Sequence, residues 1–400
     1  MRKFQALSLS AALLASLLLG GCANNAASSD AASSDSAASE PEATPEPTPA
    51  PPAANPLTGA ADADYTGKRP VAVTLRNMTG STPQWGIASA DVLVEGVTEG
   101  TTASLMALYA NPDSIAKAGP VGPARDLLLQ VALPLNAVPV HIDKNIYASN
   151  LLNTLAYQDL DGYHIGKTAF AFDQDRQNAG YAEENCWYTT AELINSGLAS
   201  YGVSLNGDNT PLFQFGERPA VDPADRSGMN LTITFSPDDI DCLNYDTGTG
   251  LYALSNGDGS PVQDADNGQQ VGFTNVFVFY ASSGIKDDGY TRQYDMTAGT
   301  GLYLHGGSWE RINWTKEDAT GPFAITNEAG ETLVVSQGKS FIAIWGGYYG
   351  QSISLTAADG SAQTLPDKPA LLESGISEEA AAAAEADYNA AQEAASAETE

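Results

Sequence analysis

The stretch that decides the fold runs from residue 69 to residue 110, and it contains three apolar segments. These are RPVAVTLRN at 69–77, DVLVEGV at 91–97 and SLMALYA at 104–110. Each is rich in β-branched or aliphatic residues and is bounded by polar or glycine-containing turns, which is typical of a buried strand. The EGTT turn at 99–102 separates the second segment from the third. The sequence therefore predicts three neighbouring strands of one sheet.

Helix-like segments alternate with further strands downstream. RDLLLQVALPL at 125–135 predicts a helix that begins near Arg125, and AVPVHID at 137–143 predicts another strand. YASNLLNTLAY, KTAFAF and TTAELINSGLASYG add helices and one short strand before residue 216. This interleaving predicts a mixed α/β domain with a central sheet over residues 67–216.

The pattern changes at residue 230. Short aromatic-rich segments, such as LTITFS, VFVFYA and SFIAIWG, are separated there by Gly, Asp and Asn clusters. They predict a mostly antiparallel β domain at 230–348, joined to the first domain by a Pro/Asp-rich linker at 217–229. The acidic Ala/Glu-rich tail at 349–400 is expected to be an exposed helix or disordered. The fold class is α+β, and two domains is the expected count.

The amino terminus has the features of a lipoprotein signal. Arg2 and Lys3 precede an uncharged apolar stretch that is too short to span a bilayer and that ends in LGGC at 19–22. We expect residues 1–21 to be a signal peptide and Cys22 to carry membrane lipid. Residues 22–66, rich in Ala, Ser and Pro, are expected to form a disordered tether. The predicted location is the extracytoplasmic face of the cell membrane.

Charge and motifs exclude several kinds of function. The formal net charge is −31, and loss of the two cations of the signal peptide leaves −33, so nucleic acid is not an expected partner. Asp173 and the DADNG segment at 264–268 lack the ligand spacing of an EF-hand and are expected to be turns, so no metal or cofactor is assigned. The two other cysteines, Cys186 and Cys242, are either paired or free. The sequence contains no GxSxG, HExxH or phosphate-binding glycine-loop motif, so no catalytic residue is assigned.

The order of several motifs resembles the YerB-like family of bacterial lipoproteins, a domain of unknown function with N-terminal and C-terminal parts. The motifs are RPVAVTLRN, TPQWGIASADVLVEGVTEG, AGPVGPARD and VPVHID, followed by NYDTGTGLY, FTNVFVFY, YDMTAGTGLYLHGGSWERINWTK and SQGKSFIAIWG. The resemblance implies an extracytoplasmic lipoprotein without an established activity or cofactor. This chain departs from the family's pattern of charges at Arg76, Ser104 and Gly122.

Five polar residues stand at places that match the family's N-terminal pattern, at predicted strand ends where ligands usually bind. They are candidate ligand-binding residues: Asn77, Glu95, Glu99, Arg125 and His141. Arg125 either holds an anion or pairs with a glutamate, and His141 is either a proton shuttle or a structural residue.

Two functions follow from these observations. One is a binding or scaffold protein at the cell envelope, with an envelope protein or a glycan as partner. The alternative is a small-ligand receptor or a cell-wall-acting hydrolase with a cleft in the N-terminal domain; whether the chain is an enzyme stays open.

Overall fold

The three apolar segments form adjacent strands in the computed structural model, which describes residues 53–219, 221, 226–348 and 350–372. They are β1 (Val71–Leu75), β2 (Val92–Glu99) and β3 (Thr102–Tyr109), and all of β1 and most of β2 is buried. Strand β3 pairs antiparallel with both of the others, so β1 and β2 run in the same direction. The signal peptide, Cys22 and most of the tether lie outside the described residues, as does the chain beyond 372.

The helices are short and all belong to the first half of the described chain. They are α1 (Asp126–Ala132), α2 (Ile146–Thr154), α3 (Gly162–Ile165), α4 (Gln174–Asn178) and α5 (Ala191–Tyr201). Asn145 and Thr190, the residues before α2 and α5, accept hydrogen bonds from free backbone N–H groups and so fix where these two helices begin.

The remaining strands follow in chain order. They are β4 (Val138–His141), β5 (Leu160–Asp161), β6 (Ala171–Phe172), β7 (Trp187–Tyr188), β8 (Gln214–Phe215), β9 (Asn230–Ser236), β10 (Asp239–Asp246), β11 (Leu251–Asn256), β12 (Gly272–Phe273), β13 (Asn275–Tyr280), β14 (Ser283–Ile285), β15 (Arg292–Tyr294), β16 (Ala298–His305), β17 (Ser308–Thr315), β18 (Ala324–Asn327), β19 (Val334–Val335), β20 (Ser340–Trp345) and β21 (Ser352–Thr356).

A ten-stranded mixed sheet forms the centre of the fold, in the order β18-β17-β16-β13-β20-β2-β3-β1-β4-β5. Its middle junction is the parallel pair of β2 and β20, in which Val92 lies opposite Ser340. Strands from both predicted domains therefore belong to one sheet. A second sheet of five antiparallel strands has the order β12-β11-β10-β9-β21.

Two apolar cores lie on opposite faces of the central sheet. On one face, side chains of α1 such as Leu128 and Val131 pack against Val94 of β2 and Ile342 of β20. The other face packs against the five-stranded sheet and α5, and this core includes Ile233 of β9. Burial of both faces explains the nearly continuous apolar sequences of the central strands.

The structure confirms the α+β class, corrects the sequence analysis in one place and decides one question that it left open. Strand β21 lies within 349–400, the segment predicted as a tail, because the alternating SISLT sequence pairs with β9. Cys186 and Cys242 are both free thiols, so the disulfide considered from the sequence is not formed. The exact domain boundaries stay a prediction, since the shared sheet joins the two parts.

Candidate functional site

A cleft with a volume of about 730 Å³ opens between the central sheet and the five-stranded sheet. Side chains of β2 and β3 form one wall, and residues of β10 and β11 form the opposite wall. The apolar part of the lining consists chiefly of Ile87, Leu93, Leu105, Ile240, Leu254 and Val262. This volume and the mixture of apolar walls with a few polar groups are usual for a small-ligand site.

The floor of the cleft holds Glu95, which is only 2% exposed. Its Oε1 accepts a hydrogen bond of 2.6 Å from Nδ2 of Asn77, the residue that follows β1 by two positions. The same Nδ2 lies 3.4 Å from Oδ2 of Asp239. Gln84 fixes the orientation of this amide by donating to Oδ1 of Asn77 over 2.8 Å. One neutral amide therefore serves two carboxyl groups.

Asp239 and Asp241 approach Glu95 from β10 of the other sheet. The carboxyl groups of Glu95, Asp239 and Asp241 lie next to one another, so a hydrogen bond between any two of them requires that one of the two is protonated. Asp241 is 7% exposed, and its Oδ2 has no hydrogen-bond donor among the residues that the structure describes. A buried carboxyl oxygen without a donor costs free energy, so its presence at the floor of a cleft calls for an explanation.

Burial changes the proton affinity of all three carboxyl groups. Burial and the charges of the two aspartates raise the pKa of Glu95 well above its usual value. Burial, with the neighbouring charge of Asp241, raises the pKa of Asp239 to about 7, and burial raises that of Asp241 to about 6. Perturbed groups of this kind are enriched at functional sites.

A fourth acid, Asp264, holds the cleft together. It is 1% exposed, and its carboxylate accepts hydrogen bonds from the backbone N–H groups of Gly86 (3.1 Å), Ala88 (2.8 Å) and Asp266 (2.8 Å). These bonds fasten the 264–268 loop of the second half to the 86–88 segment of the first half. The turn predicted from DADNG is therefore present and forms a structural part of the cleft wall.

Glu99 and Arg125 lie outside the cleft and form an ion pair with each other. Nε of Arg125 is 2.7 Å from Oε1 of Glu99, and Nη2 donates to Oε2 over 2.8 Å. Arg125 immediately precedes α1, as predicted, but its Nε and Nη2 already face the Glu99 carboxylate, and its Nη1 donates to the carbonyl oxygen of Ala124 over 3.0 Å. Of the two readings of Arg125, the structure therefore shows the pairing with a glutamate.

His141 belongs to a separate buried network. Its Nε2 is 2.9 Å from Oδ2 of Asp159, and its Nδ1 is 2.9 Å from the carbonyl oxygen of Asp143. Lys144 donates to Asp159 over 2.7 Å and to Asp161 over 3.1 Å. Burial opposes ionisation of Asp159, but the hydrogen bonds from His141 and Lys144 hold its pKa at about 2.

The ligand atoms of His141, Asp159 and Asp161 lie within 4.8 Å of one another, which is close enough for a metal ion. The Lys144 ammonium, however, already lies against both carboxylates. It supplies the positive charge that a metal would bring, so the network needs no ion.

The five predicted residues therefore do not converge on one cleft. Only Asn77 and Glu95 line it, and the cleft lies between the two halves of the chain instead of within the N-terminal domain. Sequence analysis missed Asp239 and Asp241, which the structure places in the first three residues of β10. A signal was present: Asp241 precedes Leu243 by two positions, so it falls on the inward side of an alternating strand.

Gly122, one of the departures from the family's charge pattern, lies against Arg76. A Cβ atom at Gly122 would come within 3.2 Å of Cγ of Arg76. Two of the positions at which this chain departs from the family's charge pattern, 76 and 122, are thus neighbours in the structure.

Comparisons with known proteins give the same family in both halves. Residues 57–204 match the family model described as "Protein of unknown function (DUF3048) N-terminal domain", and residues 231–342 match its C-terminal domain. The chain is 26% identical over 300 residues to "Putative lipoprotein YerB" of Bacillus subtilis (strain 168). The aligned region covers 72% of this chain and 85% of that protein.

A solved structure shows the same fold. The crystal structure of the YerB protein from Bacillus subtilis matches with a TM-score of 0.66 at 24% identity, over 75% of this chain and 99% of that one. Both halves of the cleft lie within segments that the family models match, since Glu95 falls in the first and Asp241 in the second. The chain belongs to the DUF3048 family, of which it carries both the N-terminal and the C-terminal domain.

Proposed function

We propose that this protein is a lipid-anchored, extracytoplasmic binding protein that holds its ligand in the cleft between the two sheets. The observation that carries the proposal is the unpartnered Oδ2 of Asp241 at the floor of a 730 Å³ cleft. Folding leaves this oxygen without a donor among the described residues, and a ligand can supply one.

The anchor rests on the sequence around Cys22 and on the relative named as a lipoprotein. No helix in the described part of the chain is long and apolar enough to cross a membrane. A lipidated Cys22 and the Ala/Ser/Pro-rich segment after it would leave the folded part facing away from the membrane, with the cleft open to ligands or partners outside the cell.

Capture from envelope extract tests this function. The full lipidated chain in detergent is incubated with the extract, re-isolated and denatured, and the released molecules are identified by mass spectrometry. Gln263→Trp places an indole at the mouth of the cleft, whereas Gln269→Trp makes the same change at an exposed position outside the lining.

We expect a molecule that wild type and Gln269→Trp retain and that Gln263→Trp loses. If all three proteins release the same molecules, the cleft is not the binding site. If the molecule is recovered cleaved, the protein acts as an enzyme, and the hydrolase alternative replaces the binding function.

A further inference from the structure

The ionisable groups that line the cleft are all acidic. They are the carboxylic acids Glu95, Asp238, Asp239, Asp241, Asp258 and Asp264. The carboxylate of Asp264 accepts hydrogen bonds from three backbone N–H groups, and the exposed carboxylate of Asp258 accepts hydrogen bonds from Ser260. No lysine, arginine or histidine stands among the described lining residues. The carboxyl groups at the floor thus have no cationic partner in the lining.

Apart from protons on the three carboxyl groups themselves, the donor that the described lining residues offer to this floor is the Asn77 amide, which reaches Glu95 and Asp239. Asp241 receives nothing at Oδ2 from the described residues. In the His141 network, by contrast, two carboxylates of similar depth share the ammonium of Lys144. The protein therefore supplies a cation to the carboxylates of the His141 network and none to the carboxyl groups at the floor of the cleft.

Resting on the proposed function, we infer that the cleft binds an organic cation, an ammonium or guanidinium group on an aliphatic body, with the charged group between Glu95, Asp239 and Asp241. Such a group carries several N–H donors and can satisfy Oδ2 of Asp241 together with its neighbours. The aliphatic body lies along the apolar wall, where Leu105 is the cross-strand neighbour of Glu95.

Geometry favours an organic cation over a metal ion. A metal needs its ligand atoms within a few ångströms of one another. Within the described residues, His141, Asp159 and Asp161 are the group that meets this condition, and the cleft acids are not among them. A guanidinium group spreads its donors over a plane, and an ammonium group holds its acceptors at hydrogen-bond distance, which is longer than a metal–oxygen bond. Both therefore suit carboxyl groups that approach from two different sheets.

Proton release should accompany binding. The free cleft retains protons because burial raises the pKa of its acids, to about 7 for Asp239 and about 6 for Asp241. The other acids of the lining, Asp238, Asp258 and Asp264, add no positive charge that would oppose this. A bound cation favours the ionised form, so affinity should rise with pH between about 5 and 8.

Calorimetric titration of the full chain in detergent tests the inference. The probes are hexylammonium and hexylguanidinium, with hexanol and hexanoate as neutral and anionic analogues and Ca²⁺ as the metal. At pH 8 we expect a cationic probe to bind at least about tenfold more tightly than hexanol. Asp241→Asn should weaken it by at least about tenfold, whereas Asp266→Asn, at an exposed site outside the lining, should change it less than about twofold.

A further arm distinguishes the source of the cation. A short peptide with an internal lysine is compared with the same peptide acetylated at that side chain, next to the free alkylamine. Tighter binding of the unacetylated peptide than of hexylammonium identifies a protein side chain as the ligand, and the reverse order identifies a small amine.

Several results would overturn the inference. Equal binding of hexanol and hexylammonium would show that charge is not recognised, and tighter binding of Ca²⁺ would make the cleft a metal site. If no probe binds while the extract molecule is still lost in Gln263→Trp, the cation is wrong but the binding function stands. If that variant loses nothing either, both proposals fail.

Discussion

Replacing Asp241 by asparagine is expected to stabilise the protein at neutral and alkaline pH. The side chain is 7% exposed, contacts the carboxyl group of Glu95 and has one oxygen without a described donor. Asparagine has nearly the same shape but no charge, so Asp241→Asn removes the cost of an ionised group in this position. A residue kept for binding often lowers stability in this way.

The size of the effect follows from the pKa of the side chain. Burial raises the pKa of Asp241 from its usual 3.8 to about 6 in the folded protein. A difference of one pKa unit between the folded and unfolded states corresponds to about 1.4 kcal/mol, so ionised Asp241 lowers the free energy of unfolding by about 3 kcal/mol. Because Glu95 and Asp239 redistribute their protons after the substitution, we expect a net gain of about 1–3 kcal/mol.

The gain should depend on pH in a definite direction. An acid whose pKa is raised by folding destabilises the folded state above that pKa, and the cost disappears as protonation proceeds. The gain from Asp241→Asn should therefore be complete at about pH 8, shrink between about pH 6 and pH 4, and be absent below that range.

Urea unfolding of the full chain at pH 8 and at pH 4.5 measures this difference. The exposed Asp266→Asn removes one charge of the same sign from the neighbouring loop and should change the free energy of unfolding by less than about 0.5 kcal/mol at either pH. A lower free energy of unfolding for Asp241→Asn than for the wild type at pH 8 would refute the reasoning. An equal gain at both pH values would refute it as well, since protonation would then not be the cause.

Three further predictions concern the wall of the cleft, the ion pair beside it and the anchor. Asp264→Ala removes the acceptor of three backbone hydrogen bonds and should lower the free energy of unfolding by about 2–4 kcal/mol; an unchanged urea midpoint would contradict this. Arg125→Ala should lower the free energy of unfolding by about 2–4 kcal/mol, because it leaves half-buried Glu99 without its cationic partner. A double-mutant cycle with Glu99→Ala should give a coupling energy of about 1–3 kcal/mol. Additive effects of the two substitutions would show that the pair does not act as a unit. Cys22→Ala should move the protein from the membrane fraction to the soluble fraction of the cell, and its retention on the membrane would argue against a lipid anchor.

Local patterns in the sequence were sufficient for many of the individual elements, although not for β21. Strands β1, β2 and β3 follow from their apolar runs, and the turn between β2 and β3 follows from EGTT. Helix α5 begins where Thr190 can cap it. These features depend on residues a few positions apart, so they can be recognised without knowledge of the rest of the chain.

The site was only partly predictable. Glu95 and Asn77 were singled out, but the sequence placed them with Glu99, Arg125 and His141, which the structure assigns to an ion pair and a buried network. Residues at neighbouring strand ends can point to different faces of a sheet, and the sequence of each strand does not say which polar groups will meet across it.

The sequence by itself determined most of the elements, the fold class and the chemical character of an acidic chain with a lipoprotein signal. The tertiary structure alone decided two long-range pairings: β2 beside β20, and Glu95 beside Asp239 and Asp241. Strand pairing depends on hydrogen bonds and packing between segments that lie more than a hundred residues apart, and their partners are selected only when the whole core is assembled. The cleft exists because two sheets from distant parts of the chain pack face to face, and neither half contains it alone.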